Sequence, residues 1–225
     1  MKAGYLRFLI LFGKSGSGKS EILRCLKDRG EQVLDLEGMA LHNGSAFGGM
    51  GDDQQPTQEE FETGIKSILY NYSSDRPVWV EFESNYLGRL HIPVWLIREM
   101  EQGEMIVVYA PLEQRIKRIV SIYSKIPNDE LLNALSKIKK KFNHRKYLMI
   151  KRSIEEHDYG TAASFLLTYY DRIYENALKR SSMPIYVQMK ISGSSAKDDA
   201  NKIYEEIYSG SLGSKQELRT EVRPD

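Results

Sequence analysis

The chain has 225 residues, a formal net charge of +1, 41% apolar and 28% charged residues, and a single cysteine. Such a length fits one large domain or a domain with an insertion, and one cysteine excludes a disulfide framework. The near-neutral charge excludes a globally basic nucleic-acid binder, and no apolar run approaches the ~18 residues of a membrane span.

In chain order, the apolar run Tyr5–Phe12 predicts a buried strand, and Gly13-Lys14-Ser15-Gly16-Ser17-Gly18-Lys19-Ser20 follows at once. This is a full G-x-x-x-x-G-K-[ST] pattern between a strand and a helix. Its glycines let backbone N–H groups converge on phosphate oxygens, and the helix dipole begins at the same point. Gly13, Ser15, Gly16, Ser17, Gly18, Lys19 and Ser20 are therefore the expected phosphate-binding set, with Ser20 as a Mg²⁺ ligand. The helix runs to about Arg29, where Gly30 ends it. Cys25 falls in its apolar stripe with Ile22, Leu23 and Leu26, which makes it a packing residue. With a core strand at the N-terminus and a cysteine inventory suited to a reducing compartment, a cytoplasmic protein without a signal peptide is expected.

Further strands are predicted near 32–36, 77–83, 104–109 and 184–190, alternating with helical patterns, so a parallel α/β sheet covered by helices is expected. Between the second strand and a helix opening at the capping box Thr57…Glu60 lies Gly38–Gln55. A loop that long is functional or disordered. Residues 112–180 are almost wholly helical in pattern, an insertion or lid before the last strand. A helix near 196–208 closes a domain spanning 1–208, and the polar tail 209–225 is expected to be disordered.

Candidate chemistry gathers at strand ends. Glu81 and Glu83 alternate on one face of Val78–Ser84; carboxylates there hold a metal's water shell or orient a nucleophile, or else one of the two caps a neighbouring helix or pairs with Arg89. Asp35 and Glu37 end the second strand at the same ligand-binding edge of the sheet. His42 is a lone loop histidine, more often a hydrogen-bonding residue than a catalyst. Between Glu130 and Glu155 the chain has no acid and eight cations: Lys137, Lys139, Lys140, Lys141, Arg145, Lys146, Lys151 and Arg152. The run reads either as a solvated helix face or, interleaved with Phe142 and Tyr147, as a phosphate-backbone footprint. Arg115 and Arg118 add to the same sign after the fourth strand.

Val33–Gly48, with its Leu34-Asp35-Leu36-Glu37-Gly38 core, resembles the "LDLEGLAxHRGSxFG" segment of the tRNA 2-selenouridine synthase family. The likeness continues in Gln55-Pro56-Thr57-Gln58 with Phe61-Glu62, in Trp79–Ser84, in Leu87-Gly88-Arg89 with Ile92-Pro93, and in Tyr169-Tyr170-Asp171 with Tyr174. It spans roughly Leu9 to Leu178 and implies a P-loop NTPase-like three-layer fold. It also implies an enzyme that geranylates wobble 2-thiouridine of tRNA from geranyl diphosphate and then replaces the geranylthio group with selenium from selenophosphate. In its usual form the family joins this domain to a rhodanese domain with a reactive cysteine. The chain has no such domain, and Cys25 is no substitute, so a stand-alone form working with a separate rhodanese protein is expected. Asn85-Tyr86 stands where the family has an arginine pair, which leaves Arg89 as the anionic contact.

On this reading Lys19, Glu81, Glu83, Asp35 and Arg89 are the catalytic candidates, Mg²⁺ sits at Ser20, and the basic run contacts tRNA. Two alternatives stay open. One is an ATP- or GTP-using small-molecule kinase or NTPase; the other is a non-catalytic tRNA-binding subunit.

Overall fold

In the computed structural model, residues 6–42, 55–82 and 84–209 are described below. Five strands form one all-parallel sheet: β1 (Phe8–Gly13), β2 (Gln32–Leu34), β3 (Val78–Glu81), β6 (Glu104–Tyr109) and β7 (Ile185–Lys190), in the order β2-β3-β1-β6-β7. Its edge residues differ from the sequence expectation by at most a few positions. A two-stranded hairpin, β4 (Tyr86–Leu87) and β5 (Leu90–His91), stands apart from the sheet.

The strand β1 shows why the fold has three layers. Successive side chains of a strand point to opposite faces. Phe8 and Ile10 join Phe61 and Ile65 of α3 (Gln58–Tyr70) and Leu96 and Met100 of α4 (Val94–Glu101) on one face. Leu9 and Leu11 join Ile22, Leu23 and Leu26 of α1 (Lys19–Asp28) and Ile203 and Ile207 of α9 (Ala196–Ser209) on the other. Both faces are covered, so the strand is apolar throughout, as parallel sheets require.

Local signals fix the flanking helices. The capping box is present at α3: Thr57 accepts from Glu60 N–H while the Glu60 carboxylate accepts from Thr57 N–H at 2.8 Å. A short helix α2 (Leu36–Ala40), which the sequence did not signal, follows β2.

Residues 112–180 form α5 (Leu112–Tyr123), α6 (Asn128–Lys137), a 3₁₀ turn at Lys139–Lys141, α7 (His144–Glu155) and α8 (Tyr159–Arg180), inserted before β7. Part of this segment has a core of its own, including Leu131, Leu135, Ile150, Ile154 and Leu166. No helix among the described residues is long and apolar enough to cross a membrane. The tail expected to be disordered lies, from residue 210 on, outside the described residues.

Candidate functional site

The loop between β1 and α1 is shaped by two glycines with positive φ, Gly16 at 79° and Gly18 at 85°. A Cβ on Gly16 would sit 2.9 Å from the Arg115 carbonyl oxygen, and one on Gly18 would meet the Arg118 guanidinium at 2.8 Å. Conformation and space both demand glycine there. Gly18 caps α1 without a side-chain acceptor, so N–H groups of the first turn face the loop, the arrangement that binds anions. Lys19 is buried at the loop's base and its Nζ donates to the Gly13 carbonyl at 2.8 Å. The Ser17 hydroxyl donates to the Lys14 carbonyl and tightens the same turn.

Ser20 stands beside two carboxylates. Its Oγ donates to Glu81 Oε2 at 3.1 Å and lies 3.5 Å from Glu37 Oε2. Glu81 is the last residue of β3, next to β1 in the sheet, so the sheet itself delivers it to the loop. Asp35 does something else: as N-cap of α2 its carboxylate accepts from Gly38 N–H at 2.8 Å. The acid that approaches Ser20 is Glu37, two residues on; the sequence names both acids at this strand end, but its catalytic candidate there is Asp35, which the structure uses as a helix cap. Glu83 lies outside the described residues. A hydroxyl with carboxylate oxygens is a hard donor set suited to Mg²⁺, which keeps much of its water and shares substrate phosphates. Among the described residues no group of three or more His, Cys, Asp and Glu forms an all-protein metal cage.

Helices of the inserted segment hold the loop from outside. Arg115 of α5, only 3% exposed, donates from Nε to the Ser15 carbonyl at 2.8 Å and pairs in bidentate fashion with Asp171 of α8 at 2.9 and 2.5 Å. Bidentate guanidinium–carboxylate pairs are both strong and orienting. Lys14 Nζ binds Glu175 at 2.8 Å and approaches Asp171 to 3.5 Å. Arg118 donates to the Gly16 carbonyl at 2.9 Å and pairs with Glu21 at 3.0 Å. The sequence marked both arginines by sign alone; the partner of Arg115, Asp171 of α8, carried no signal beyond the Tyr-Tyr-Asp motif, and the partner of Arg118, Glu21 of α1, carried none.

Two cavities flank this clamp. One, of about 300 Å³, lies between the loop and α5 and α8, with Phe12, Ser15, Tyr123, Leu166, Tyr170 and Tyr174 in its wall. Phe12 and Tyr174 stack with centroids 4.6 Å apart. Burial, with Tyr169 beside it, pushes the Tyr170 hydroxyl up to about 12, so it stays neutral. Ser84 also lines this cavity. The other cavity, of about 320 Å³, is more polar and is bounded by Lys14, Tyr109, Leu112, Arg115 and Asp171.

Arg89 sits in the turn of the hairpin and is exposed. Its guanidinium donates to the Gln55 carbonyl, and its N–H donates to Gln55 Oε1 at 3.0 Å. His42 is buried near the same turn: a Cβ on Gly88 would meet its Cδ2 at 2.8 Å. Gly44 and most of the glycine-rich loop lie outside the described residues.

The basic run occupies one corner of the inserted segment. Lys137, Lys139, Lys140, Lys141 and Arg145 are exposed at the end of α6, the 3₁₀ turn and the start of α7. Lys139 lies over the Tyr147 ring at 5.3 Å, and Lys146 lies over Phe142 at 5.9 Å and Phe165 at 5.8 Å. Farther along α7, Lys151 and Arg152 are tied to Glu155 and Glu156 at 3.1 and 2.7 Å. The two ends of the run thus differ: its start is one-signed, its end is neutralised within the helix.

Comparison with known proteins bears on the whole arrangement. A family model described as the tRNA 2-selenouridine synthase AAA domain matches residues 6–197. The tRNA 2-selenouridine synthase of Marinobacter nauticus is 27% identical over 214 residues, covering 81% of this chain and 57% of that protein. That of Nitrosomonas eutropha is 39% identical over 119 residues, covering 51% of this chain and 30% of that protein. The chain therefore spans between about a third and somewhat over half the length of these curated relatives. Among solved structures, TT1252 from Thermus thermophilus aligns with a TM-score of 0.45 at 17% identity, over 93% of this chain and 100% of that one.

Proposed function

The chain belongs to the tRNA 2-selenouridine synthase AAA-domain family, and from that premise we propose that its phosphate loop holds the diphosphate of geranyl diphosphate while it transfers the geranyl group to wobble 2-thiouridine of tRNA. The observation that carries this reading is the junction of the Gly13–Ser20 loop with the apolar cavity walled by Phe12, Leu166, Tyr170 and Tyr174. An anion site opening directly onto an apolar, aromatic cavity fits an allylic diphosphate, whose two halves need those opposite environments.

The thiocarbonyl sulfur is a soft nucleophile and needs little activation. The barrier lies in breaking the C–O bond, with the electron pair leaving on diphosphate as the S–C bond forms and the uracil N3 proton passes to solvent. Lys19 and the first-turn N–H groups of α1 would meet the charge that develops on the leaving oxygen, where fixed donors act most strongly. Ser20, with Glu81 and Glu37 through water, would hold Mg²⁺, which when bound supplies further charge neutralisation on the diphosphate. Arg115 and Arg118 position the loop by its carbonyls. The exposed cations Lys137, Lys139, Lys140, Lys141 and Arg145 would meet tRNA phosphates, with Lys146 beside them. Replacement of the geranylthio group by selenium would require a separate rhodanese-domain protein, in the cytoplasm.

A second reading, nucleotide binding at the same loop, is favoured by the polar cavity beside Lys14, Tyr109 and Arg115. The test is incubation of the chain with 2-thiouridine tRNA and geranyl diphosphate, with and without a rhodanese protein, scoring the S-geranyl nucleoside by mass. The expected result is product from the intact chain and at least a hundredfold less from Lys19→Ala. Absence of product from the intact chain in both arms, together with ATP turnover, would replace this reading by the second one.

A further inference from the structure

We propose that the solvent face of the β4–β5 hairpin is a stacking platform for an unpaired base of a single-stranded RNA loop. This deepens, and rests on, the tRNA reading above.

The hairpin sorts its residues by face. Leu87 and Leu90 are buried at 5% and 2% exposure, packed under the sheet's first core. Their neighbours Tyr86 and His91 pair across the strands and so lie side by side on the outer face, with Tyr86 66% exposed. An aromatic ring left in water on a two-stranded ribbon contributes little to folding, and such a ribbon alone is only marginally stable.

This ribbon is held rigid. Gln55, 4% exposed, donates to the Leu87 carbonyl at 2.9 Å and to the Ala40 carbonyl at 2.8 Å, and accepts from Arg89 N–H at 3.0 Å. Gln58 holds the other strand, donating to the His91 carbonyl at 2.9 Å and accepting from its N–H at 3.1 Å. Two glutamines at the entry to α3 thus fasten both strands of an exposed aromatic pair. The ordering entropy of the platform is already met before any partner arrives.

Position and charge select the partner. Tyr86 N–H donates to Ser84 Oγ at 3.1 Å, and Ser84 lines the apolar cavity that opens at the phosphate loop. The platform therefore adjoins the proposed reacting centre. Arg89, exposed in the turn between the two strands, adds a cation suited to an adjoining phosphate. A fixed aromatic face beside a cation is how proteins hold splayed bases of RNA loops, and it is indifferent to duplex.

The experiment measures binding of the full chain to a fluorescent anticodon stem-loop RNA, and to an RNA duplex of equal length without a loop, across a salt series. Tyr86→Ala is expected to weaken stem-loop binding by roughly five- to a hundredfold, with the salt slope and duplex binding unchanged, and Tyr86→Phe to restore it. A joint alanine variant at Lys137, Lys139, Lys140 and Lys141 should instead flatten the salt slope for both RNAs. Wild-type affinity for the stem-loop in Tyr86→Ala overturns the platform and leaves the tRNA reading standing. Loss of equal size on stem-loop and duplex also overturns it. If the wild-type chain binds neither RNA, the tRNA reading itself falls, and the platform with it.

Discussion

In the sheet, Leu9, Ile10 and Leu11 are each completely buried, and they feed cores on opposite sides of the same strand. In the inserted helices, Leu131, Leu135, Ile150 and Ile154 line a single smaller core, while Ile122, Leu148, Met149 and Ile173 stay 43–47% exposed. The sheet is fixed by non-directional burial from two sides. The helical segment has apolar packing of its own and meets the phosphate loop through directional polar contacts, above all Arg115 to Asp171 and to the Ser15 carbonyl. The difference divides the labour: the sheet sets where the Gly13–Ser20 loop stands, and the helices decide how the loop is gripped and what surrounds it.

The sharpest way to break this comparison is at the joint. Arg115→Met keeps the bulk of the side chain but removes the bidentate partner of Asp171 and leaves it only the longer contact to Lys14 at 3.5 Å. The expected loss is about 3 kcal/mol of unfolding free energy by urea titration, with the proposed geranyl transfer falling alongside it. Unchanged stability would mean that apolar packing, not the ion pair, joins the two regions. Next in size is Leu135→Ala, expected to cost about 2–4 kcal/mol through the cavity it opens. Hydrogen exchange should then quicken in α6–α8 while β1 and β6 keep their protection, as separate cores imply. Equal quickening in the sheet would make the molecule one cooperative unit.

The smallest effect is alkaline. Burial raises the Tyr170 hydroxyl to about 12 from an ordinary value near 10, so the folded state keeps a proton that the unfolded state releases. That contribution is fully present below pH 10 and is lost as pH climbs towards 12. Tyr170→Phe should remove this part of the decline in thermal midpoint over that range. An identical decline in the variant would assign the alkaline sensitivity elsewhere.

Much of the frame was legible because its signals are local and redundant. Continuous apolar runs announced β1 and β6, Gly18-Lys19-Ser20 announced the loop and α1, and Thr57…Glu60 announced α3 down to its cap. The carboxylate edge of the sheet was less legible, and Asp35 was the candidate it offered. Asp35 and Glu37 are equivalent acids in a string of letters. Only the turn into α2 makes one a cap, through Gly38 N–H, and brings the other to Ser20. The hairpin escaped detection because two-residue strands carry no period, and its register depends on Gln55 and Gln58, far along the chain. The basic run was read as uniform, yet acids one turn beyond it, Glu155 and Glu156, neutralise Lys151 and Arg152.

The placement of the two tryptophans turns these regions into separately visible ones. Trp79 is wholly enclosed in β3, its indole N–H held by the buried Glu31 at 3.1 Å. Trp95, 36% exposed in the first turn of α4, stands four residues past His91 of the hairpin. One indole therefore emits from an apolar interior and the other from a wet surface. A blue-shifted emission reports the integrity of the sheet, and a red-shifted, quencher-accessible one reports events near the hairpin. With Trp95→Phe and Trp79→Phe variants, a single spectrum separates unfolding from binding without any added label.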